Sequence, residues 1–214
     1  MLARGLVFDF DGLICDTETS AYETAHAIYL EHGVELTVAQ WQDRIGTHAR
    51  HWLADLEAAV GPLDHRDELI ERRRLAHHER VLVEMAMPGV GEFTARAVES
   101  GASLAVASSS SRAWVTEHLE RLDLLDRFTV ISTCEAGVPA KPDPEVYLRA
   151  TAAIGIDPAE AVAFEDSPNG VAAAKAAGLQ CIAVPNRMTA DLDLSAADLI
   201  VPSFLDLDLD HLGL

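Results

Sequence analysis

The sequence predicts an α/β protein, a doubly wound parallel sheet with a Rossmann-like core and an inserted all-α helical domain. Three observations indicate this fold class. Short apolar runs such as LAVA and AVAF recur along the chain, and they are continuous rather than alternating, which is typical of parallel strands covered on both faces. Helical patterns separate most of these runs, as repeated strand–helix–strand units require. One long segment after the first run contains helical patterns only.

The elements of the core follow from local composition. Six short apolar runs are predicted as strands: Gly5–Phe8, Ser103–Ala107, Thr129–Ser132, Ala161–Phe164, Gln180–Val184 and Leu199–Val201. Four segments between them are predicted as helices: Glu92–Ser100, Arg112–Leu122, Pro144–Ile154 and Pro168–Ala177. Three of these helices are followed by a glycine, where a left-handed cap favours it: Gly101, Gly155 and Gly178. The alternating tail LDLDLD indicates a half-exposed edge.

Residues 17–86 carry no strand candidate and are predicted to form a helical cap domain. The first cap helix has an apolar stripe at three- and four-residue spacing and ends at Gly33. Three further helices are predicted: Val38–Ile45, Arg50–Val60 and Asp67–Val83. Residues 1–16 and 87–214 then form the Rossmann-like core, which the cap interrupts after the first strand.

Net charge is the most unusual property of the composition. The 35 acidic and 16 basic residues give a formal charge of −19 at pH 7, which disfavours binding to nucleic-acid backbones and to anionic membranes. The chain has no apolar run of the ~18–20 residues that a membrane span needs. Its N-terminus lacks signal-peptide features, and its three cysteines form no metal-binding or disulfide pattern. We therefore expect a cytoplasmic protein with no nucleic-acid or membrane partner; the oligomeric state is not indicated.

Chemically active side chains follow four of the predicted strands, in the order Asp9 and Asp11, Ser108–Ser111, Lys141, and Glu165 with Asp166. Because ligands of doubly wound sheets bind at the carboxyl ends of the strands, we expect these residues to meet in one pocket. Clustered carboxylates repel one another unless a cation joins them, and Mg²⁺ suits such a set together with a phosphate group. One carboxylate can be a nucleophile while its neighbour handles the proton of the leaving group. The arrangement predicts phosphoryl transfer.

Four segments together carry a family resemblance: DFDGLICDTE, SLAVASSSS, AKPDPEVY and AVAFEDSPNG. In this order, each at a predicted strand end, they resemble the four motifs of the haloacid dehalogenase superfamily. The helical insertion is similar to the cap of the β-phosphoglucomutase-like phosphatase branch of that superfamily. The resemblance implies a HAD-like fold, hydrolysis of phosphoric monoesters and Mg²⁺ as the cofactor. The implied partner is a small phosphorylated metabolite, with a sugar phosphate as the expected case.

The resemblance also implies catalytic and phosphate-binding roles. Asp9 would be the nucleophile, and Asp11 would be the general acid and then the general base. Ser108, Ser109 and Lys141 would bind the phosphoryl oxygens, and Lys141 would also position the nucleophile.

A metal site is implied by the same motifs. Asp9, Asp166 and the backbone carbonyl of Asp11 would hold Mg²⁺. Glu165 would lie beside the metal, although a carboxylate at this position can instead serve to orient a neighbouring group.

Departures from the family pattern favour a phosphatase over its rivals. The sugar-phosphate mutases of the branch carry a cap histidine where this chain has Ala21, and their Gly-x-Ser-Arg stretch corresponds to GTHAR at residues 46–50. Dehalogenases and phosphonate-cleaving members lack the second aspartate, which is Asp11 here. A phosphomutase remains the nearest alternative. A non-catalytic module that senses phosphate or metal is the alternative from another class, and it would not need the general acid.

Cap residues offer candidates for substrate recognition. Four basic residues form a stripe at four-residue spacing on one predicted helix: Arg73, Arg74, His77 and His78. A solvated face paired with nearby glutamates is the favoured interpretation, because i,i+3 and i,i+4 ion pairs are common on helices. In the other interpretation Arg73 and His77, together with Arg50, recognise the leaving group. We expect Trp41 and Trp52 to lie in the core of the cap, because large aromatic side chains are mostly buried.

Overall fold

The computed structural model describes residues 4–43, 45, 52–135 and 137–212. At its centre is a parallel sheet with the strand order β3-β2-β1-β4-β5-β6. The strands are β1 Gly5–Phe8, β2 Ser103–Ser108, β3 Val130–Thr133, β4 Ala161–Glu165, β5 Gln180–Ala183 and β6 Leu199–Ile200. The predicted strands are confirmed, with shifts of at most one residue at their ends. Because β1 lies between β2 and β4, the direction of winding reverses at β1.

Helices connect the strands and build the inserted segment. They are α1 Thr17–Glu31, α2 Val38–Gln42, α3 Trp52–Val60, α4 Arg66–Val81, α5 Val90–Glu99, α6 Arg112–Arg121, α7 Glu145–Ile154 and α8 Pro168–Ala176. The predicted helices are confirmed apart from their ends, and the start of the predicted helix Arg50–Val60 lies outside the described residues. The three glycines predicted after helices have positive φ angles: Gly101, Gly155 and Gly178. No described helix is long and apolar enough to cross a membrane.

Different side chains cover the two faces of the sheet. One face carries a cluster of phenylalanines, in which the rings of Phe8 and Phe164 stack with centroids 4.7 Å apart. On the other face small residues such as Ala105 and Ala163 pack against Tyr147 of α7. Leu6, Val7 and Phe8 of β1 are all fully buried, because helices cover this strand from both sides. Burial on both faces explains why the apolar run in the sequence is continuous.

The alternating tail does not form the expected half-exposed edge. It lies in two short 3-10 helices, Phe204–Asp206 and Leu209–Leu212, rather than in an extended strand. Phe204 inserts beside Phe8 and Phe93 of the core, with ring centroids 6.0 and 5.3 Å away. This anchoring bends the chain, so that Leu209 is buried while Leu205 is 65% exposed.

Residues 17–81 contain helices and no strand among their described positions. Their own apolar cluster includes Trp41 and Trp52, as predicted, and Met188 from the loop after β5 also packs on it. The chain leaves and rejoins the sheet side by side, because Cys15 and Ala86 form an antiparallel bridge. The division into a core and a cap with boundaries at residues 17 and 86 stays a prediction.

Candidate active site

Side chains from four strand ends meet at the carboxyl edge of the sheet: Asp9 and Asp11 after β1, Ser108 at the end of β2, Lys141 after β3, and Glu165 with Asp166 at the end of β4. They meet because β1 is paired with both β2 and β4. The polar residues that follow these strands are therefore neighbours in space although they are far apart in sequence.

Lys141 is at the centre of the polar network in this pocket. Its Nζ donates to Asp9 Oδ1 and to Glu165 Oε1, both at 2.5 Å, and the residue is only 6% exposed. Burial alone would lower the pKa of Lys141, but the charges of Asp9 and Glu165 raise it above its usual value. Lys141 is therefore a fixed cation that orients the carboxylate of Asp9.

Negative charge exceeds positive charge around this lysine. Carboxylate oxygens of Asp9, Glu165 and Asp166 lie within 4.8 Å of one another, and all three residues are buried. Burial, with Glu165 and Asp11 nearby, raises the pKa of Asp9 to about 8, although Lys141 lowers it. Burial and the charges of Asp9 and Glu165 also raise the pKa of Asp166 well above its usual value. This set of oxygens fits a hard divalent cation, whose charge would offset the repulsion.

A loop after β5 completes the carboxylate side of the pocket. The buried amide of Asn186 donates from Nδ2 to Asp166 Oδ2 at 2.7 Å and to the carbonyl oxygen of Gly12 at 2.9 Å. Its Oδ1 in turn accepts backbone N–H groups of Met188 and Thr189. Gly12 has a φ of +82°, and a Cβ there would collide with the Asp166 carboxylate. Glycine is required at this turn because the Asp166 carboxylate packs directly on its backbone.

Both oxygens of Glu165 are already engaged by the protein. Oε1 accepts the hydroxyl of Tyr147 at 2.6 Å as well as the ammonium of Lys141. Oε2 accepts the backbone N–H of Asp166 at 3.1 Å. A Cβ at Gly170 in α8 would overlap this carboxylate, so the missing side chain makes room for it. These contacts support the orienting role for Glu165, while its place beside a metal stays a prediction.

The carboxylate of Asp11 accepts hydrogen bonds from four side chains. Oδ1 accepts Thr17 Oγ1 and Trp114 Nε1, both at 2.9 Å. Oδ2 accepts Ser110 Oγ at 2.6 Å and Ser108 Oγ at 3.3 Å. Asp11 is thus held in one orientation, between the loop after β2 and the first turn of α1.

The serine loop after β2 links the phosphate-binding candidates. The Oγ of Ser108 accepts the backbone N–H of Ser110 at 3.0 Å, and the Oγ of Ser109 accepts the backbone N–H of Lys141 at 3.2 Å. Ser111 caps α6 by accepting the backbone N–H of Trp114. The positive end of the α6 dipole therefore lies at the end of this loop, where an anion is stabilised.

Comparison of the whole chain with known protein families agrees with this geometry. Residues 6–184 match the family model described as haloacid dehalogenase-like hydrolase. The chain belongs to this family. The match includes every motif that follows β1, β2, β3 and β4. The predicted class, a phosphoric monoester hydrolase of the haloacid dehalogenase-like family, is thereby confirmed.

Individual members of the family are similar to this hydrolase over most of its length. YhcW of Bacillus subtilis is 41% identical over 217 residues, which cover 99% of each chain. Hexitol phosphatase B of Escherichia coli is 34% identical over 185 residues, covering 84% of this chain and 82% of that protein. Among solved structures, CbbY from Rhodobacter sphaeroides in complex with phosphate superposes with a TM-score of 0.78 at 27% identity, and each chain is covered completely. The HAD-like fold predicted from the motifs is confirmed.

In this haloacid dehalogenase-like hydrolase, the basic stripe of α4 is divided between two environments. Arg74 is exposed and pairs with Glu71 at 2.7 Å, as the solvated-face interpretation predicts. Arg73 instead turns inward, and its Nη2 donates to the carbonyl oxygen of Ala21 at 3.0 Å. Its guanidinium lies 5.4 Å from the ring centroids of two buried residues, Trp41 and Trp52. The solvated-face interpretation is therefore wrong for Arg73.

Two further polar cap residues approach the pocket. The Nε2 of His77 is hydrogen-bonded to the carbonyl oxygen of Thr17 at 3.1 Å, and the imidazole stacks on Trp114 with centroids 5.2 Å apart. The solvated-face interpretation is therefore wrong for His77 as well. Glu18 follows Thr17, and burial, together with the charge of Asp11, raises the pKa of Glu18 to about 7.

Sequence reasoning missed three residues of the site: Trp114, Tyr147 and Asn186. Asn186 lies in the loop after β5, so extending the strand-end argument to the fifth strand would have found it. Trp114 and Tyr147 lie inside helices, and neither has a local signal of its contact with a carboxylate. The predicted candidate Arg50, with residues 46–49 before it, lies outside the described residues.

Proposed function

We propose that this chain is a Mg²⁺-dependent phosphatase that hydrolyses a small sugar phosphate through an aspartyl-phosphate on Asp9. The observation that carries the proposal is the buried contact between Lys141 and Asp9, beside Asp11 and Asp166. A carboxylate nucleophile must be oriented and ionised. Lys141 orients Oδ1, which leaves Oδ2 for attack, and its charge favours the ionised form.

The reaction proceeds in two displacements at phosphorus. In the first, Asp9 forms a bond to phosphorus while the bond to the leaving-group oxygen breaks, and Asp11 gives that oxygen a proton. In the second, Asp11 takes a proton from a water molecule, and the water oxygen attacks the same phosphorus. The bond between Asp9 and phosphorus then breaks, inorganic phosphate leaves, and both aspartates return to their starting states.

Several groups would stabilise the phosphoryl oxygens. We assign this role to Ser108, Ser109 and Lys141, supported by the N-terminus of α6. Mg²⁺ would be held by Asp9, Asp166 and the backbone carbonyl of Asp11. When bound, it supplies positive charge that keeps the nucleophile ionised and offsets the charge of the phosphoryl group. This local positive field is what lets a chain with a formal charge of −19 take an anionic substrate.

The cap would recognise the leaving group. Glu18, Arg73 and His77 bring a carboxylate, a guanidinium and an imidazole to the cap side of the pocket. Such a set offers donors and acceptors to hydroxyl groups, and hexitol phosphatase B among the relatives supports a polyol or sugar as the leaving group. Arg50 is included in this proposal from its sequence position alone.

Ala21 supports hydrolysis over phosphoryl transfer to a second sugar hydroxyl. It stands where the mutases of the branch carry their cap histidine, and it is buried in the apolar cluster of the cap. A methyl group cannot exchange a proton with a sugar hydroxyl. The remaining acceptor for the phosphoryl group is water.

The test is release of inorganic phosphate from a panel of sugar phosphates, phosphoglycolate and nucleotides, with and without Mg²⁺. Asp9→Asn should lower kcat at least about a thousandfold, because the nucleophile is lost. Asp11→Asn should lower it at least about a hundredfold, because proton transfer is lost. Asp123→Asn is the matched control, since Asp123 is exposed and its positive φ is one that asparagine adopts readily.

Three outcomes would contradict the proposal. Full activity of the Asp9→Asn variant would exclude Asp9 as the nucleophile. Isomerisation of a sugar phosphate much faster than phosphate release would favour a phosphomutase. Binding of Mg²⁺ and phosphate without turnover across the panel would favour a sensing module.

A further inference from the structure

Trp114 contacts the general acid–base candidate although it lies 103 residues away in the sequence. Its indole Nε1 donates to Asp11 Oδ1 at 2.9 Å. The side chain belongs to α6, three residues after the serine that caps this helix. The other donors to Asp11 are hydroxyl groups, from Thr17 and from two serines of the loop. Trp114 is therefore chemically distinct among the four donors.

This chemical difference decides which oxygen of Asp11 can carry a proton. A hydroxyl group donates or accepts after a rotation about its C–O bond, whereas an indole N–H can only donate. Oδ1 must remain an acceptor as long as Trp114 is in place. The proton that Asp11 gives to a leaving group then resides on Oδ2, where the hydroxyls of Ser108 and Ser110 can rotate to accommodate it.

A cap side chain holds the indole in position. The ring of His77 on α4 lies against Trp114 at an angle of 24°, with centroids 5.2 Å apart. The same imidazole is hydrogen-bonded to the backbone of Thr17, the other donor to Oδ1. His78, the next residue, pairs with Glu117 of α6 at 2.7 Å. Helix α4 therefore contacts both Thr17 and Trp114, the two donors to Oδ1. The pair between His78 and Glu117 holds α4 against α6.

We propose that Trp114 is a positioning residue that keeps Asp11 Oδ1 as an acceptor and leaves Oδ2 to carry the transferable proton, with His77 holding the indole in place. The inference deepens the proposed function and rests on it, because it assigns an orientation to the general acid of that reaction. It also links the cap to the acid, since withdrawal of α4 removes one of the rings that pack on the indole.

The kinetic test compares two replacements of Trp114. Phenylalanine removes the N–H and part of the ring, whereas 3-benzothienylalanine keeps the size and stacking of the indole and removes only the N–H. Both should lower kcat about tenfold, the value of one hydrogen bond to a charged group, with KM changed less than about twofold. A role in packing alone would spare the benzothienyl variant. Wild-type kcat in that variant would overturn the proposal.

A second measurement does not depend on turnover. The indole N–H of Trp114 gives one ¹H–¹⁵N resonance, which is assigned by its absence from the Trp114→Phe spectrum. Asp11→Ala should move this resonance upfield, and His77→Ala should also move it because the stacked ring is lost. Arg80→Gln is the control on α4, since Arg80 is exposed and pairs with Glu23 within the cap. If Asp11→Ala leaves the indole resonance unchanged, the hydrogen bond from Trp114 to Asp11 is overturned.

The two measurements separate this proposal from the proposed function. If the wild type hydrolyses no phosphate ester, the proposed function fails, and the indole resonance alone decides whether Trp114 positions Asp11. If the wild type is active and Asp9→Asn is inactive, a wild-type kcat in the benzothienyl variant overturns the role of Trp114 and leaves the proposed function intact.

Discussion

Replacing Asp9 by asparagine should change how the stability of the metal-free protein depends on pH. The pKa of Asp9 rises from its ordinary value of 3.8 to about 8 in the folded protein, because burial disfavours its charge. Between these pH values the folded state binds a proton that the unfolded state does not. Unfolding then releases this proton, so the contribution of Asp9 to stability is present at low pH and is lost as the pH rises toward 8.

The magnitude follows from the same linkage. One proton released on unfolding corresponds to a slope of about 1.4 kcal/mol per pH unit. From pH 5.5 to pH 7.5 the contribution of Asp9 should therefore fall by about 3 kcal/mol. Asparagine cannot titrate, and it keeps the size of the side chain. The Asp9→Asn variant should lack this part of the pH dependence.

Urea unfolding with EDTA at several pH values between 5.5 and 7.5 measures how the free energy of unfolding changes with pH in the wild type and in Asp9→Asn. The difference between wild type and Asp9→Asn reports the titration of Asp9 together with its effect on Asp166, because the charge of Asp9 raises the pKa of Asp166. Asp123→Asn should keep the wild-type slope. Adding Mg²⁺ should stabilise the wild type more at pH 7.5 than at pH 5.5, since a cation binds the ionised form. Parallel curves for wild type and Asp9→Asn without metal would refute the reasoning.

Two further substitutions probe the neighbouring carboxylates. Gly170→Ala should lower the free energy of unfolding in urea by about 2 kcal/mol, because the new methyl group meets Glu165. Gly91 is a helical glycine with open space around it, so Gly91→Ala should instead raise the free energy of unfolding by up to about 1 kcal/mol. Equal changes in the two variants would contradict the close contact between Gly170 and Glu165. Asn186→Ala removes a donor to Asp166 and should weaken Mg²⁺ binding about tenfold by calorimetry; unchanged affinity would exclude a supporting role.

The sheet and the motif positions could be predicted from the sequence because both depend on local pattern. Leu6, Val7 and Phe8 are apolar without interruption because both faces of β1 are covered, and this burial is visible in a run of four residues. The residues that follow such runs must lie at one edge of a parallel sheet. Asp9 and Lys141 could therefore be placed in one pocket before their contact was seen.

Orientation could not be predicted in the same way. Arg73 and Arg74 are adjacent on α4 and are the same residue type, yet Arg73 turns toward Trp41 and Trp52 while Arg74 pairs with Glu71 at the surface. The helical pattern that described both residues does not state which neighbouring element covers each of them.

The sequence by itself determined the order of strands and helices and the residues that meet at the carboxyl edge, because hydrophobic periodicity and strand ends are local properties. Only the tertiary structure decided that Trp114 reaches Asp11 and that Tyr147 and Gly170 accommodate Glu165. Each of these contacts joins a helix to a strand end on another element. Its formation depends on how the elements pack, and no local pattern encodes the distance between them.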